Sequence, residues 1–400
     1  MSSDVDISIV GGGLLGSALA LYIAQHTSYK ISLIERAKPL SKPLLANQRV
    51  LALGQAAVDF LSEISVFEDL NEAQCHSYTR MCVWDENSTG QLNFSADEID
   101  QLQLGWMVDG SYLSYVLQQK VLQTSNIDAC FETTPTALQW QERGGQQSSK
   151  LSQLSYVNSD GRLCTQQSRL LVAADGGNSW LRNQAKIYSN RFNYQQCGIV
   201  ALIETTKDHE DCAWQRFLDK GPIALLPVAD GLSSIVWSAD LERCRELMTL
   251  ASADFELALA QAIENRLGPV KLRSERQSFP LSSTRAENYY KNSLVLIGDA
   301  AHSIHPLAGQ GANLGFKDIA CLSKLLHQGD STSLGSSSIL ARYQRLRQND
   351  NQQTDTLMTF LHHAYGNQNP LWTPLRGFGM SLINQTGFLR QLLARQAMGL

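Results

Sequence analysis

The sequence has no closely paired cysteines, no long apolar run and no excess of positive charge in its 400 residues. Its cysteines stand singly, and no C-x-x-C pair occurs, so zinc or thioredoxin-like chemistry has no support. Isolated thiols in a chain of this size favour a reducing, cytoplasmic compartment. The eight cysteines are Cys75, Cys82, Cys130, Cys164, Cys197, Cys212, Cys244 and Cys321.

Three further absences narrow the class of protein. The formal net charge of -5 argues against general nucleic-acid binding, which relies on basic surfaces. No uninterrupted stretch of about 18 or more apolar residues occurs, so a membrane-spanning helix is not expected. The N-terminus lacks the basic segment and cleavage site of a signal peptide, and it leads directly into a predicted strand.

A glycine-rich turn connects the first predicted strand, Asp6–Val10, to a predicted helix, Leu14–Gln25. Gly11, Gly13 and Gly16 have the spacing G-x-G-x-x-G. The first glycine permits a tight turn, the second lets a pyrophosphate approach the backbone, and the third allows the helix to pack closely on the strand. The first turn of the helix offers free N–H groups to the phosphates. The sequence therefore predicts a dinucleotide-binding βαβ unit.

The second strand of this unit, predicted over Lys30–Ile34, ends at an acidic residue. Glu35 follows the glycines by about 20 residues, where a carboxylate is expected to bond a ribose hydroxyl. An acid at this position favours a cofactor with a free 2′-hydroxyl, which means FAD or NAD and not NADP. The neighbouring Arg36 either stacks near the adenine or is a solvated charge, and the sequence leaves both interpretations open.

Two later motifs favour FAD. Asp175 and Gly176 follow a second apolar run, and Gly298-Asp299 follows the predicted strand Leu294–Ile297. Because ligands bind at the carboxyl edge of parallel sheets, Asp299 is suited to accept a hydrogen bond from a ribityl hydroxyl. Asp175 either contacts a ligand or holds loops together near it, and the second role is favoured.

A glycine-rich stretch separates the Gly298-Asp299 motif from a helical pattern that begins near Leu314. Gly309, Gly311 and Asn313 precede this helix, so their backbone amides can face an anion. Reduced flavin carries negative charge near N1 and C2=O, and a bare glycine backbone also lets a flat isoalloxazine ring lie close.

These motifs, in this order, resemble the class A flavoprotein monooxygenases of the para-hydroxybenzoate hydroxylase type. Three longer segments, Gly221–Trp237, Gly298–Gly315 and Arg395–Leu400, resemble the ubiquinone-biosynthesis hydroxylases within that class. The resemblance covers nearly the whole chain.

The resemblance implies an α/β fold with a Rossmann-like FAD-binding domain, an inserted β-sheet substrate domain and a helical C-terminal region. The FAD-binding domain is expected in three parts, at residues 1–75, 109–185 and 286–330. The substrate sheet is expected at residues 76–108 and 186–285, and the C-terminal helices at residues 331–400.

The resemblance also implies an activity. The protein is expected to be an FAD-dependent monooxygenase that uses O2 and a flavin C4a-hydroperoxide to hydroxylate the ring of a polyprenylated phenol or quinol in ubiquinone biosynthesis. The electron donor, NAD(P)H or another reductant, stays open because no second G-x-G-x-x-G follows a strand. The alternatives are a small-aromatic hydroxylase, a prenyl reductase, a non-catalytic flavin-binding scaffold and an NAD-dependent dehydrogenase; the G-D-A-A-H segment argues against the last.

Matching positions carry the family's cofactor contacts onto this sequence. Gly11, Gly13, Gly16 and Glu35 are expected to bind the ADP half, and Arg49 matches the arginine that reaches FAD after the second strand. Asp175 and Gly176 form the D-G motif. The remaining cofactor-binding residues, around the ribityl chain and the ring, are expected to be Asp299, Pro306, Gly309, Gln310, Gly311, Ala312 and Asn313.

Catalytic candidates are few. His305 and Pro306 are expected in the flavin-ring pocket, with a packing role equally open for His305. His302 and His305 have an i, i+3 spacing, but further ligands are missing, so no metal site is predicted. His302 is expected to bond a backbone carbonyl, and Arg182 to pair with an acid. No general base for phenol deprotonation is evident.

Two apolar features of the sequence, a set of aromatic residues and the C-terminal segment, each have two interpretations. Four aromatic residues in predicted strands of the inserted sheet either form a slot for a ring and prenyl tail or belong to the sheet core: Trp84, Trp214, Trp237 and Phe217. The segment Leu371–Leu400 is apolar and basic and has no acidic side chain. It either contacts a membrane surface or a biosynthetic complex, which would place the protein peripherally at the inner face of the membrane, or packs on the FAD-binding domain.

Overall fold

The computed structural model describes residues 2–42, 49–87, 90–142, 150–304, 311–329, 333–366 and 391. Helices form in this part where apolar residues repeat at helical spacing. The predicted helix Leu14–Gln25 is confirmed with a slightly longer bound. The described helices, in chain order, are α1 Leu14–His26, α2 Gln55–Glu63, α3 Gly110–Gln123, α4 Trp180–Gln184, α5 Leu241–Thr249, α6 Ser252–Ala262, α7 Gly311–Gln328 and α8 Ser337–Gly366.

The strands of the described residues form three sheets. Their bounds, in chain order, are β1 Ser2–Val10, β2 Ile31–Ile34, β3 Val50–Leu53, β4 Cys75–Tyr78, β5 Arg80–Asp85, β6 Gln91–Ser95, β7 Gly105–Asp109, β8 Ile127–Cys130, β9 Thr134–Glu142, β10 Lys150–Val157, β11 Leu163–Ala173, β12 Ser189–Thr205, β13 Cys212–Phe217, β14 Ile223–Pro227, β15 Leu232–Asp240, β16 Val270–Leu272, β17 Gln277–Ala286, β18 Tyr290–Lys291, β19 Leu294–Leu296 and β20 His302–Ser303.

The first sheet is built on five parallel strands in the order β19-β11-β1-β2-β8. Antiparallel strands extend it, because β18 pairs with β19, β10 pairs with the first half of β11, and β9 pairs with β10. The central strands end in buried, mostly apolar runs in which Ile7, Leu33 and Leu171 are fully buried. Such runs are typical of parallel strands that helices cover on both faces.

The order of these strands places the predicted motifs together. Gly11 follows β1, Glu35 follows β2, Asp175 follows β11, and Gly298 follows β19 by one residue. Because neighbouring parallel strands end at the same edge of a sheet, motifs far apart in the sequence meet at the carboxyl edge.

Helix α7 packs an apolar face onto this first layer. Four residues of this face are all buried in the core of the layer: Phe316, Ile319, Leu322 and Leu326. α7 also contacts α1, α2 and α8, so it joins the N-terminal and C-terminal parts of the described chain.

The second sheet has the order β20-β17-β12-β15-β14-β13-β5-β6, with β16 on the edge of β12. Its pairs are antiparallel except for β5 with β13, so the sheet is mixed. A hairpin at Asp230-Gly231 joins β14 to β15, with Asp230 in the left-handed region at φ 61°.

The two faces of the second sheet have different neighbours. One face packs against α5 and α6 in a core that contains Trp84, Trp237 and Phe255. The opposite face contributes Val83 and Phe217 to a smaller cluster with residues of the first layer. Alternate residues of each strand therefore point to a helical layer and to the layer that carries the cofactor motifs.

A third, three-stranded sheet consists of β3, β7 and β4. The prediction that the strand at Gly105–Val108 belongs to the inserted sheet is wrong, since β7 pairs with β3 and β4. A Cβ at Gly105 would lie 2.6 Å from the carbonyl oxygen of Leu53, so only glycine lets β3 come this close. The domain boundaries predicted above remain a prediction.

Cys197 on β12 and Cys244 on α5 form a disulfide with a Cα–Cα distance of 6.4 Å. Both residues are buried in the core between the second sheet and its helices. The prediction of isolated thiols is therefore wrong for this pair, because folding brings together two cysteines that are 47 residues apart. The other six cysteines are free.

Candidate functional site

The glycine fingerprint forms a tight turn between β1 and α1. Gly11 has φ 108°, and a Cβ on it would overlap the backbone of Ala174. A Cβ on Gly16 would overlap the carbonyl oxygen of Gly11, so the close packing predicted for the third glycine is confirmed. A Cβ on Gly13, by contrast, would have no heavy atom within 4 Å, which leaves open space in front of the first turn of α1.

The Glu35 carboxylate lies at the same turn. Its two oxygens accept hydrogen bonds from the backbone N–H groups of Gly12, at 2.7 Å, and of Ala37, at 2.8 Å. Each carboxylate oxygen has a further lone pair, so the expected bond to a ribose hydroxyl stays available. Arg36 is exposed beside it.

A side chain from α3 supports this turn, and the sequence did not reveal it. Gln118 is buried, its Nε2 donates to the carbonyl oxygen of Gly12 at 2.7 Å, and its Oε1 accepts from the backbone N–H of Leu40 at 2.8 Å. Ser17 also donates to Gly12. The turn is therefore held in place by a residue more than a hundred positions away, which no local motif indicates.

Asp299 lies at the carboxyl edge after β19, within a 3-10 turn over Gly298–Ala300. Its side chain is exposed on one side, yet protein atoms crowd it closely enough that burial raises its pKa, while the charges of His302 and Arg49 oppose that shift. Arg49, predicted to reach FAD, is thus close enough to Asp299 to act on it electrostatically. Asp299 forms no hydrogen bond with another residue in the described ranges.

Asp175 holds the loop after β11. Its Oδ2 accepts from the backbone N–H of Leu181 at 3.1 Å, while its buried Oδ1 has no hydrogen-bond partner. Burial raises the pKa of Asp175. The favoured structural role fits the first oxygen, and the second oxygen leaves room for a ligand contact as well.

Arg182 connects the second motif to the third. Its Nη1 donates to the carbonyl oxygen of Ala300 at 2.9 Å, and its Nη2 donates to the carbonyl oxygen of Gly177 at 2.8 Å. The prediction that Arg182 pairs with an acid is wrong, because both terminal nitrogens of the guanidinium bond backbone carbonyls and no ion pair to it occurs among the described residues. The buried cation cross-links two loops.

Leu15 joins the first motif to the third. A Cβ on Gly298 would overlap Cδ1 of Leu15, and so would a Cβ on Gly315. Gly298 also has φ 54°, in the left-handed region that favours glycine. The two glycines therefore provide the space into which the first turn of α1 inserts its side chain.

A buried polar network lies behind the third motif. Asp318 on α7 is fully buried and accepts from the Gly298 N–H at 2.9 Å, from His302 Nε2 at 2.6 Å and from Arg347 Nε at 2.8 Å. Burial alone would raise the pKa of Asp318, but His302 and Arg347 outweigh that effect and lower it. The prediction that His302 bonds a backbone carbonyl is wrong, because its partner is this carboxylate.

The start of α7 completes the arrangement. Asn313 accepts from the Gly54 N–H at 2.9 Å and donates to the carbonyl oxygen of Ala52 at 2.8 Å, so its side chain ties α7 to the junction of β3 and α2. Gly311 and Ala312 form the exposed first turn of the helix, with open space at Gly311. The predicted residues His305, Pro306, Gly309 and Gln310 lie outside the described residues.

The apolar side of the second sheet lies next to this edge. Val83 and Phe217 cluster with Ile304, which directly precedes residues 305–310, and with Leu314 on α7. Phe217 is thus on the face that adjoins the cofactor motifs. Trp84, Trp214 and Trp237 instead pack on the helical side, which identifies them as core residues.

One group of possible metal ligands occurs in the described residues, at His76, His209 and Asp211. Asp211 Oδ1 lies 2.8 Å from His76 Nε2, and His209 Nδ1 accepts from the backbone N–H of Asp211. These atoms already bond one another, so we assign no ion to them. The expected absence of a metal cofactor stays a prediction.

The donors and spaces at this edge fit FAD. A pyrophosphate requires open space before a helix N-terminus, and Gly13 at the start of α1 provides it. Hydroxyl-rich ribityl chains require acceptors, and Asp299 and the unpartnered Oδ1 of Asp175 offer them. A flavin ring in its reduced form requires positive potential, which the N-terminus of the 18-residue helix α7 supplies.

Comparisons with known proteins identify the family. The sequence profile of the FAD binding domain family matches residues 4–355. The chain is 31% identical over 401 residues to the 3-demethoxyubiquinol 3-hydroxylase of Escherichia coli, covering 99% of this chain and 98% of that protein. It is 30% identical to the mitochondrial ubiquinone biosynthesis monooxygenase COQ6 of Mus musculus, covering 96% of this chain and 89% of that protein.

Solved structures share the fold. PqsL of P. aeruginosa, in complex with 2-aminobenzoylacetate, superposes with a TM-score of 0.77 at 19% identity, covering 95% of this chain and 100% of that one. The p-nitrophenol 4-monooxygenase PnpA of Pseudomonas putida DLL-E4 has a TM-score of 0.75 at 13% identity, covering 99% and 98%. From the family profile and the full-length relatives, the chain belongs to the FAD-binding monooxygenases.

Proposed function

We propose that this protein uses FAD and O2 to hydroxylate the aromatic ring of a polyprenylated phenol or quinol in ubiquinone biosynthesis. The observation that carries the proposal is the apolar face of the second sheet, where Val83 and Phe217 meet Ile304 and Leu314 beside the FAD motifs. An apolar ring with an isoprenoid tail is the kind of substrate such a face accommodates. The relatives named for ubiquinone biosynthesis support the same substrate class.

We infer that each cofactor motif holds one part of FAD. Gly11, Gly13, Gly16 and Glu35 bind the ADP half, and Arg36 lies near the adenine. Asp299, with Arg49 nearby, and Asp175-Gly176 bind the ribityl region. We expect contacts to the ring from His305, Pro306, Gly309 and Gln310, which lie outside the described residues, and from Gly311, Ala312 and Asn313 in the first turn of α7.

FAD, when bound, accepts electrons from NAD(P)H or another donor and activates O2 for transfer of one oxygen atom. The protein has the tasks of orienting the aromatic ring, excluding water and handling the proton of the ring hydroxyl. The apolar cluster around Phe217 serves the first two tasks, because a buried aromatic contact fixes a ring and leaves no room for solvent.

The test is turnover with isotopically labelled O2. The purified, FAD-loaded protein is given 2-geranylphenol, NADH and labelled O2, and the product is analysed by mass spectrometry. One labelled oxygen atom on the ring is the expected result. Reduction of a geranyl double bond without labelled oxygen would instead identify a prenyl reductase, and bound FAD without turnover of any phenol would support a scaffold role.

Membrane or complex contact is proposed for Leu371–Leu400, of which only residue 391 lies in the described part of the chain. None of the described helices is long and apolar enough to cross a membrane. We propose a cytoplasmic protein that reaches its lipid-like substrate through the basic, apolar C-terminal segment. Co-sedimentation with anionic vesicles should fall when Arg376, Arg390 and Arg395 are replaced by glutamate, and equal sedimentation of both proteins would refute this contact.

A further inference from the structure

Asp85 is a buried carboxylate that none of the cofactor motifs uses. It is the last residue of β5, its side chain is 3% exposed, and its Oδ2 has no hydrogen-bond partner. Two other buried acids of the described chain differ, since Asp318 accepts three hydrogen bonds and Asp109 caps α3, and the remaining acid with an unpartnered buried oxygen, Asp175, already belongs to a cofactor motif. An unsatisfied carboxylate oxygen in the interior is destabilising, and a catalytic role is one of the reasons for which such a group is kept.

The register of β5 with β13 places Asp85 on the face that adjoins the FAD motifs. Asp85 pairs with Phe217, and Val83 pairs with Gln215, in a parallel ladder. Paired residues share a face, and Val83 and Phe217 both belong to the cluster that contacts Ile304 and Leu314. Asp85 is therefore on this face as well.

The residues that precede Asp85 and Phe217 in their strands confirm that side chains alternate between the two faces of the sheet. Trp84 and its partner Arg216 point to the opposite side, where both bond Glu264 beside α6. The cofactor-side face of β5 and β13 thus consists of apolar residues interrupted by two polar ones, Asp85 and the buried Gln215. Of these two, only Asp85 can both accept the hydrogen bond of a ring hydroxyl and take up its proton, and a few placed polar groups in an apolar surrounding fix the orientation of a ligand.

We propose that Asp85 accepts the hydrogen bond of the substrate's ring hydroxyl and takes its proton as the ring gains oxygen. This inference rests on the proposed function, and it names the base that the sequence did not reveal. The O–H bond breaks, the proton passes to Asp85 Oδ2, and the electron pair stays on the ring oxygen. From there it raises the electron density of the ring carbon that forms the new C–O bond, and Asp85 later releases the proton to solvent.

The first experiment compares two ligands that differ only at the hydroxyl. Oxidised holoenzyme is titrated with 2-geranylphenol and with its methyl ether, and binding is followed by the change in flavin absorbance. We expect wild type to bind the phenol on the order of 10- to 100-fold more tightly, as a hydrogen bond to a charged acceptor implies. In Asp85→Leu that preference should disappear, while affinity for the ether should not fall.

Turnover supplies a second readout. Asp85→Asn keeps the shape of the side chain but cannot take a proton, so kcat should fall by about 100- to 10,000-fold, the usual share of a general base. KM for 2-geranylphenol should change much less. Glu86→Gln is the matched control, because Glu86 is the next carboxylate along the chain and is exposed. This control should keep wild-type ligand preference and rate.

Thermal unfolding separates this role from a structural one. A carboxylate that stabilises the fold would lower the Tm when it is replaced, whereas replacing a buried carboxylate with an unpartnered oxygen by leucine should leave the Tm unchanged or raise it. A lowered Tm together with an unchanged phenol-to-ether preference in Asp85→Leu would overturn the inference and leave the proposed function intact. If the wild-type holoenzyme bound neither ligand, the substrate class itself would be wrong, and the inference would fall with it.

Discussion

Arg182 Nη1 donates to the carbonyl oxygen of Ala300 over 2.9 Å, and this buried bond joins the loop after β11 to the turn that presents Asp299. The same guanidinium reaches Gly177 in its own loop. The planar guanidinium of Arg182 bonds both carbonyls at once. This single side chain thus fixes the distance between two parts of the cofactor site that are more than a hundred residues apart in the sequence.

Arg182→Lys should lose this cross-link. A lysine ammonium is a single point donor and cannot bond both carbonyls with the geometry of the guanidinium, so at least one buried carbonyl loses its partner. We expect the free energy of unfolding to fall by about 1–3 kcal/mol and FAD affinity to fall with it. Urea unfolding and FAD titration measure both. Arg191→Lys, at an exposed site nearby, should leave them unchanged.

Gly13→Asp should abolish FAD retention without unfolding the protein. The Cβ meets open space and the backbone φ is -77°, so the fold accepts a side chain there. The carboxylate would occupy the position proposed for the pyrophosphate and repel it. The flavin-to-protein ratio after purification and the Tm of the apoprotein are the two measurements. Normal flavin content in the variant would contradict the assignment.

Gly315→Ala should destabilise the protein through its contact with Leu15. Overpacking of this kind typically costs about 1–3 kcal/mol, although alanine is the better helix former. In a Leu15→Ala background the same change should be neutral or stabilising, because the space is then free. A double-mutant cycle by urea unfolding measures the coupling. Additive effects of the two substitutions would show that these residues do not compete for one space.

Asp299→Ala should weaken FAD binding by on the order of 10- to 100-fold, the usual worth of a hydrogen bond to a charged acceptor. Burial raises the pKa of this carboxyl. A raised pKa means that the folded apoprotein disfavours the ionised carboxyl. Above the unfolded-state pKa, Asp299→Ala should therefore increase the free energy of unfolding of the apoprotein, and below that pKa it should not. Fluorescence titration with FAD gives the affinity, and Asp160→Ala, on an exposed turn, is the control.

Asp318→Asn should destabilise the protein strongly. Arg347 would lose its fully buried acidic partner and keep only the partly exposed Asp350. Breaking a buried ion pair typically costs about 3–5 kcal/mol, and Asp350 should hold the loss at or below the lower end of that range. The folded-state pKa of Asp318 is lowered, so its contribution is fully present above the unfolded value of about 4 and is lost as pH falls through the folded pKa. Urea unfolding of wild type and variant should therefore show a difference that is constant near neutrality and shrinks in acid. A pH-independent difference would contradict this origin.

The FAD motifs could be predicted because each comes shortly after the end of a strand. Gly11, Glu35, Asp175 and Asp299 are local signals, and parallel pairing alone brings the ends of their strands to one edge. The partners that stabilise those motifs could not be predicted. Gln118 bonds Gly12 and Asp318 bonds Gly298, and in both cases the two residues are distant in sequence. The sequence around a buried helix position does not indicate which residue it bonds.

The sequence also could not show which face of the second sheet each aromatic side chain occupies. Trp84 and Phe217 have similar apolar surroundings in the sequence, yet they lie on opposite faces, since one belongs to the core with α6 and the other adjoins the FAD motifs. The register of β5 with β13 decides this, and strand alternation without a partner strand leaves it open. The pairing of β7 with β3 and the Cys197–Cys244 disulfide depend in the same way on contacts distant in sequence.

The strands of the two large sheets alternate along the chain, and this order affects how the protein folds while it is being synthesised. β1 and β2 emerge early from the ribosome, but β19 and α7 follow only after nearly every strand of the second sheet has been made. The cofactor pocket is therefore among the last parts to become complete, and early strands of the parallel sheet wait with an unpaired edge. A ligand that binds only the finished pocket draws the chain toward the folded state by mass action. Cellular FAD supply should thus govern how much of this protein matures and escapes proteolysis.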